Sequence, residues 1–297
     1  MMKVNNAVLI KENRKLKKLL KIGKILRTFL LIGTVFVIIM PFVKILVDAL
    51  KSSSDYSNPL VYWIPEDFTF RRVRSIYHQL LRENAYYNSF LLSMMTSFIQ
   101  VIMCAIYGYA FSKLKFKGSS LLFWVVMFSL VVPRETLKVS STLFFTFYPF
   151  FGMNVTNSLF SIYLKTLLGM GIYSPIFIYV FRQYFKGIPT ELEEQAQLDG
   201  AGVMQTFWRV MLPNVKGAVM TVGIFTFVLT YNDSYYPMMF NFDMQNFELL
   251  STKLATGRYS NVNAVALLII IPLLVLYIIT QNIFIRGIEN TVSNNQY

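Results

Sequence analysis

Thr190-Glu-Leu-Glu-Glu-Gln-Ala-Gln-Leu-Asp199-Gly200 gathers four of the chain's fifteen carboxylates, Glu191, Glu193, Glu194 and Asp199, between long apolar runs. Arg182 and Lys186 close the run before it, and Pro189 interrupts the chain. Thr190 with Glu193 three residues later predicts a capping box that opens a new helix. Glu191 and Glu193 suit the positive end of its dipole. Asp199-Gly200-Ala201-Gly202 predicts its stop. Met204, Phe207, Trp208 and Met211 then recur at helical spacing and predict one apolar face, before Leu212-Pro213 redirects the backbone. The expectation is a compact helix-turn-helix held against the inner side of a membrane bundle, its acidic first helix exposed. Either a second protein grips that helix from the water, or the carboxylates only cap a dipole in a solvated loop.

Composition decides what lies on either side. Hydrophobic residues make up 55% of the 297 and charged ones 14%, with mean hydropathy +0.49, too apolar for a soluble chain of this length. A bilayer core of about 30 Å needs roughly 20 apolar residues as helix. Six stretches approach that: 27–47, 88–111, 119–141, 158–181, 217–236 and 263–285. The second and sixth are cleanest, with no charge between Tyr87 and Ser112 or between Val262 and Ile285. The predicted class is an all-α integral membrane protein with six transmembrane helices.

The net charge of +13 is unevenly placed, and its placement argues against nucleic acid. Nine basic residues and one acid, Glu12, precede the first span in residues 1–27. That bias predicts a cytoplasmic N-terminus, with attraction to anionic lipid headgroups. With six spans, Lys113-Leu-Lys-Phe-Lys117, the acidic segment and the region from Arg286 onwards also fall inside, so both termini are cytoplasmic. Loop 51–86 falls outside, with Arg71, Arg72, Arg74 and Arg82 against the bias. Residues 1–26 read as a basic amphipathic segment along the membrane. The six-span domain takes 27–287, the loop 187–216 lies within it, and 288–297 form a tail. The first span reads as a retained anchor, its leader and apolar run being too long for a signal peptide. Pro41, Pro133, Pro175 and Pro272 interrupt spans, and Gly169 and Gly171 sit within the fourth. Each predicts a kink or a close helix contact.

The single Cys104 and single His78 leave no disulfide framework, Cys/His zinc site or Cys-His dyad. An enzyme would need a catalytic constellation that is not evident. A secondary transporter would need a mid-membrane ion site and repeat symmetry, also not evident.

Glu194-Gln-Ala-x-x-Asp199-Gly200-Ala201 followed by Phe207-Trp-Arg209-Val-x-Leu212-Pro213 resembles the "EAA" loop of ABC importer permeases, in particular those of binding-protein-dependent, maltose-transporter-like sugar importers. Other segments match that family in order and spacing. They are Asn88-Ser-Phe, Tyr109-Ala-Phe-Ser-Lys-Leu-Lys-Phe116-Lys-Gly118, Val132-Pro133, Phe181-Arg-Gln-Tyr-Phe-Lys-Gly-Ile-Pro189, Asn232-Asp233 before Pro237, Ile271-Pro272 and Gln281-Asn-Ile-Phe-Ile-Arg286-Gly287. The likeness spans about 25–290. It implies a type I importer fold, with Glu191, Glu194, Ala196, Asp199, Gly200 and Ala201 forming a coupling helix seated on an ATPase. Glu194 would pair with a basic residue there, Ala196 would allow close approach to the groove, and Gly200 would supply a tight turn. The implied partners are two ATP-binding cassette subunits, a second homologous permease chain and an extracellular solute-binding protein, in a bacterial cell membrane. ATP and Mg would be used by the partner ATPase; this chain lacks G-x-x-x-x-G-K-[ST] and is expected to bind no cofactor and to hydrolyse nothing itself. Gln195 and Tyr231 depart from the pattern, standing where relatives carry alanine and tryptophan.

Charges inside the spans supply the candidate substrate pathway. Lys44 and Asp48 lie four apart; Arg134, Glu135 and Lys138 cluster; Lys165 lies within the fourth span, and Lys253 and Arg258 in the last outer loop. Such groups usually face a bundle interior or wet cavity. In one reading they pair locally, Lys44 with Asp48 and Glu135 with Lys138, or snorkel. In the other, Arg134, Lys138 and Lys165 line an outward cavity that favours an anionic, uronate-containing sugar. Tyr231, Asn232, Tyr235 and Tyr236 sit beside that region, as do Phe144, Phe145 and Tyr148; the rings would stack on sugar or simply pack.

Overall fold

A computed structural model describes residues 2–147, 158–240, 248–257 and 261–293, with side chains for 20–146, 158–240, 248–257 and 261–281. Tyr148 and Arg258 lie outside the described residues. The described residues are helical, apart from loops and one antiparallel bridge between Lys51 and Phe68. Contacts divide the chain into two units, Met1–Val73 and Arg74–Tyr297.

The first unit is built on α1 (Met2–Leu50), followed by the short α2 (Ser53–Ser57). At 1.5 Å per residue α1 is roughly 70 Å long, more than twice a bilayer core. The helix runs unbroken through position 26, where the basic segment was expected to give way to a span. Its apolar residues from Leu20 to Leu46 are mostly exposed on all sides, the pattern of a helix that meets lipid. Near its end Asp48 accepts from both Lys44 and Lys51 at 2.9 Å, and the Tyr62 carbonyl accepts from the same two ammoniums at 3.1 and 3.3 Å. The expected Lys44–Asp48 pair is therefore present, within a larger cluster.

The second unit is organised around α4 (Ala85–Lys113), which follows α3 (Arg71–Arg82). α5 (Ser119–Phe128) lies in the third expected span, and α6 (Lys138–Phe147) begins in the last residues of that span and runs past it. α7 (Leu159–Leu167) and α8 (Ser174–Lys186) come from the fourth. Both stretches are thus broken rather than kinked. In the third, Pro133 disfavours helix at the residue before it. In the fourth, Gly169 and Tyr173 have φ of +76° and +52°, outside any helix, and Pro175 sits in the first turn of α8. Gln100 of α4 satisfies the break, its amide donating to Ile172 O (3.1 Å) and Ser174 Oγ (2.9 Å).

After the loop helices α9 (Thr190–Leu198), α10 (Val203–Thr206) and α11 (Leu212–Asn214) comes α12 (Lys216–Asn232), bent 83° from the segment before it. α13 (Tyr235–Met239), α14 (Leu250–Thr256) and α15 (Val262–Ser293) complete the chain. Among the described residues, Leu20–Leu50, Ala85–Lys113 and Val262–Gln281 are long and apolar enough to cross a membrane unbroken.

Helices in lipid gain little from hydrophobicity between them and rely on close packing. α4 packs on α8, α12 and α7 through small and polar residues, Ser89, Ser93, Thr96, Ser97 and Gly108 among them. A Cβ at Gly108 would lie 2.5 Å from Phe181 Cβ and 2.9 Å from Arg182 N, so α4 and α8 meet there backbone to backbone. A buried cluster of Tyr109, Phe181, Phe185, Phe207, Met211 and Val222 continues from this contact into the loop.

Candidate functional site: an acidic loop helix and a charged cavity

The acidic helix α9 is short and sharply ended. Pro189, extended at ψ 141°, precedes it, and no side chain caps it. The expected capping box does not form, because Glu193 turns inward and its Oε1 accepts from the Tyr109 hydroxyl of α4 at 2.7 Å. At the other end Gly200 N–H donates to Gln197 O (3.0 Å) and Ala201 N–H to Ala196 O (2.9 Å), the paired bonds of a Schellman ending. Gly200 has φ +82°, and nothing lies within 4 Å of where its Cβ would be, so backbone conformation rather than crowding calls for glycine.

The helix has two faces. Glu193 and Ala196 are its buried residues, while Glu191, Glu194, Gln195 and Leu198 are exposed, Leu198 to 87%. Ala196 packs against its own chain, at 9% exposure. Glu191, Glu194 and Asp199 make no ion pair among the described residues. The following segment also differs from expectation. Phe207 and Met211 are buried, but Met204 and Trp208 are exposed, because Phe207–Met211 form a π-helical turn whose wider winding splits the predicted single face into two rows.

The second constellation centres on Asp233, between α12 and α13. Its Oδ1 accepts from Arg134 Nη1 (3.3 Å), and its Oδ2 from the Tyr236 N–H (3.0 Å). Arg134 also pairs with Glu135 (3.1 Å), so the expected Glu135–Lys138 pair is replaced by a neighbouring one. Tyr235 donates its hydroxyl to Arg134 O (2.8 Å) and lies under the guanidinium at 4.8 Å. Lys165 places its ammonium 4.0 Å from the centre of the Tyr236 ring. Lys165 and Asp233 line a cavity of about 10 Å³ with Thr96, Thr166, Thr230 and Gly171, room for about one water. The hydroxyls of Thr96 and Thr230 are buried without hydrogen-bond partners.

Arg134, Lys165 and Tyr235 are therefore gathered around one carboxylate. Lys138, Tyr231 and Asn232 are not. Lys138 is exposed on α6; Tyr231 is 3% exposed and stacks on Phe227 at 5.9 Å; Asn232 donates its amide to Val228 O of its own helix. Asp233 itself was missed as a site residue, although a carboxylate ending an apolar span is a visible signal. A third charged group, Lys253 at 2% exposure, bonds Glu248 (2.7 Å) and Glu83 (3.0 Å) and holds α14 in the bundle, which accounts for it structurally.

Comparison with known proteins shows the family of the chain. A family model described as binding-protein-dependent transport system inner membrane component matches residues 18–290. The sn-glycerol-3-phosphate transport system permease protein UgpE of Yersinia pestis is 25% identical, over 88% of this chain and 94% of its own. The melibiose/raffinose/stachyose import permease protein MelC of Bacillus subtilis is 23% identical, over 84% and 90%. Among solved structures, a chain of a bacterial ABC transporter involved in the import of the acidic polysaccharide alginate superposes with a TM-score of 0.69 at 20% identity, covering 88% of this chain and 96% of that one. That likeness is one of fold.

Proposed function

The chain belongs to the family of binding-protein-dependent transport system inner membrane components, and from that premise we propose that it couples an ATPase beneath the membrane to the import of an oligosaccharide carrying carboxylates. As a sugar-class ABC importer permease it is a membrane subunit of a bacterium whose ATPase is a separate chain. The finer reading has six spans, three of them made from broken helices, with both termini and the loop 187–216 in the cytoplasm. Two ATPase subunits, one homologous permease and a solute-binding protein complete the assembly. Closure of the ATPases would carry α9 with it and tilt the bundle between inward and outward access.

The observation that carries this reading is the two-faced α9, an acidic surface with one bare leucine, held from behind by the bundle. Surface carboxylates that no cation of the chain answers are open to a basic partner, whose complementary charge would fix register and orientation. The cargo assignment rests on Lys165 lining a cavity with unsatisfied hydroxyls, on Arg134 bonded to the Asp233 of that cavity, and on the cargoes named for similar proteins, which include alginate and glycerol phosphate. A cavity with room for about one water admits no sugar, so the helices around it would part, or the second permease would complete the site.

The test is uptake by the full complex in vesicles, with Glu194→Lys combined with Gly200→Val. The charge reversal repels a basic partner, and a β-branched residue at positive φ costs about 1–2 kcal/mol. Uptake and cargo-stimulated nucleotide turnover should both fall at least tenfold; full-speed import would end the coupling reading.

A further inference from the structure

α9 presents its outer residues to water only if it cannot roll about its own axis, and the face by which it is held is narrow. Of its nine residues, Glu193 and Ala196 are buried. A methyl group tolerates rolling; a hydrogen bond, which is directional, does not. The Tyr109 hydroxyl to Glu193 Oε1 bond, 2.7 Å long, is the one side-chain hydrogen bond leaving α9 among the described residues.

Both partners are fixed. Tyr109 is 4% exposed, edge-on to Phe185 at 5.6 Å and against Phe207 at 5.4 Å. One turn further along α4, Lys113 donates to Ile188 O at 2.7 Å, two residues before α9 begins. Glu193 has no ion-pair partner among the described residues, although it is buried. A carboxylate placed there without a cation is costly unless its acceptor strength is used, and bonds to ionised acceptors are shorter and stronger than neutral ones.

We propose that the Tyr109–Glu193 hydrogen bond is the positioning contact of the coupling helix: it fixes the rotation of α9 and passes force on α9 into α4. This rests on the coupling reading above and adds to it a specific path. Both residues are buried within this chain, behind the exposed face of α9.

The test uses the purified complex with its ATPase and reads nucleotide-driven movement, which needs no known cargo. A cysteine introduced as Asn232→Cys, at the far end of α12, is labelled with a maleimide in the absence of nucleotide and after trapping with ATP and vanadate. The parent complex should show a labelling change on trapping. Tyr109→Phe, lacking only the hydroxyl, should reduce that change about tenfold, and Glu193→Gln, whose amide oxygen still accepts, should retain most of it. A merely structural role would lower stability in both variants and leave the trapped change in the surviving complex. If Tyr109→Phe does not assemble, Tyr109→Phe with Glu193→Leu removes both polar groups while keeping the site filled, and carries the same comparison. A full response with either hydroxyl-free variant overturns the inference alone. No response in the parent, or no bound ATPase, overturns the coupling reading with it.

Discussion

α9 and the cavity around Asp233 both place carboxylates where an apolar bundle gives few reasons for them, and they treat charge in opposite ways. On α9, Glu191, Glu194 and Asp199 stand in water without an internal cation, beside a nearly bare Leu198. At the other site Asp233 is enclosed and serves Arg134 directly, with Lys165 lining the same cavity. Unanswered surface charge costs little and is available to a partner; enclosed charge must be answered internally or it destabilises the fold. On the proposed reading the first region is completed by another molecule, while the charge of the second is already answered within the chain. A cargo anion reaching Arg134 and Lys165 therefore competes with Asp233 rather than filling an empty charge.

The largest effect that probes this contrast is expected at Leu198. Fully burying a leucine against a partner is worth about 1.5–3 kcal/mol. Leu198→Ser should weaken ATPase association roughly ten- to a hundredfold in a pull-down titration, with little change in the permease's own thermal stability. Equal affinity would mean that the exposed face is not the docking face. Next in size, Asp233→Asn should favour uronate over neutral oligosaccharides by about tenfold in competitive uptake, since Lys165 loses the carboxylate of its cavity and Arg134 loses one of its two partners. An unchanged ratio would show that no cargo carboxylate comes near. Smallest, Lys165→Ala should move the same ratio several-fold in the opposite direction, because Arg134 retains part of the attraction. No shift would remove Lys165 from the pathway.

The sequence discloses these features unequally, for identifiable reasons. α4 and α15 are plain because some two dozen uncharged apolar residues have no other use. The Schellman ending of α9 is legible in Asp199-Gly200, since the bonds are local. The division of the third and fourth stretches is not legible in hydropathy, which scores Val131 and Leu168 as apolar wherever the backbone goes. Pro133, Gly169 and Gly171 announce a disturbance without saying that the helix stops. Glu193 is the instructive failure. Its spacing from Thr190 satisfies a local capping rule, but Tyr109, distant in sequence, offers the better partner. Among the proposed pathway residues, Arg134 and Lys165 were identifiable as ions in apolar runs. Tyr231 and Asn232 lie beside the same region in sequence, but Tyr231 is buried against Phe227 and Asn232 bonds its own helix, neither of which residue type discloses.

The contact at Gly108 has a mechanical consequence. α4 and α8 touch there without intervening side chains, and two turns away, roughly 12 Å along α4, Gln100 grips the start of α8 at Ser174. Two attachments at different heights deny the pair both sliding and splaying, so α4 and α8 travel as one beam. α7 carries Lys165 on the far side of a non-helical joint. Any motion that widens the chamber beside Asp233 by moving α7 must be absorbed between Leu168 and Tyr173, and stiffening those six residues would freeze the door while leaving the beam free to swing.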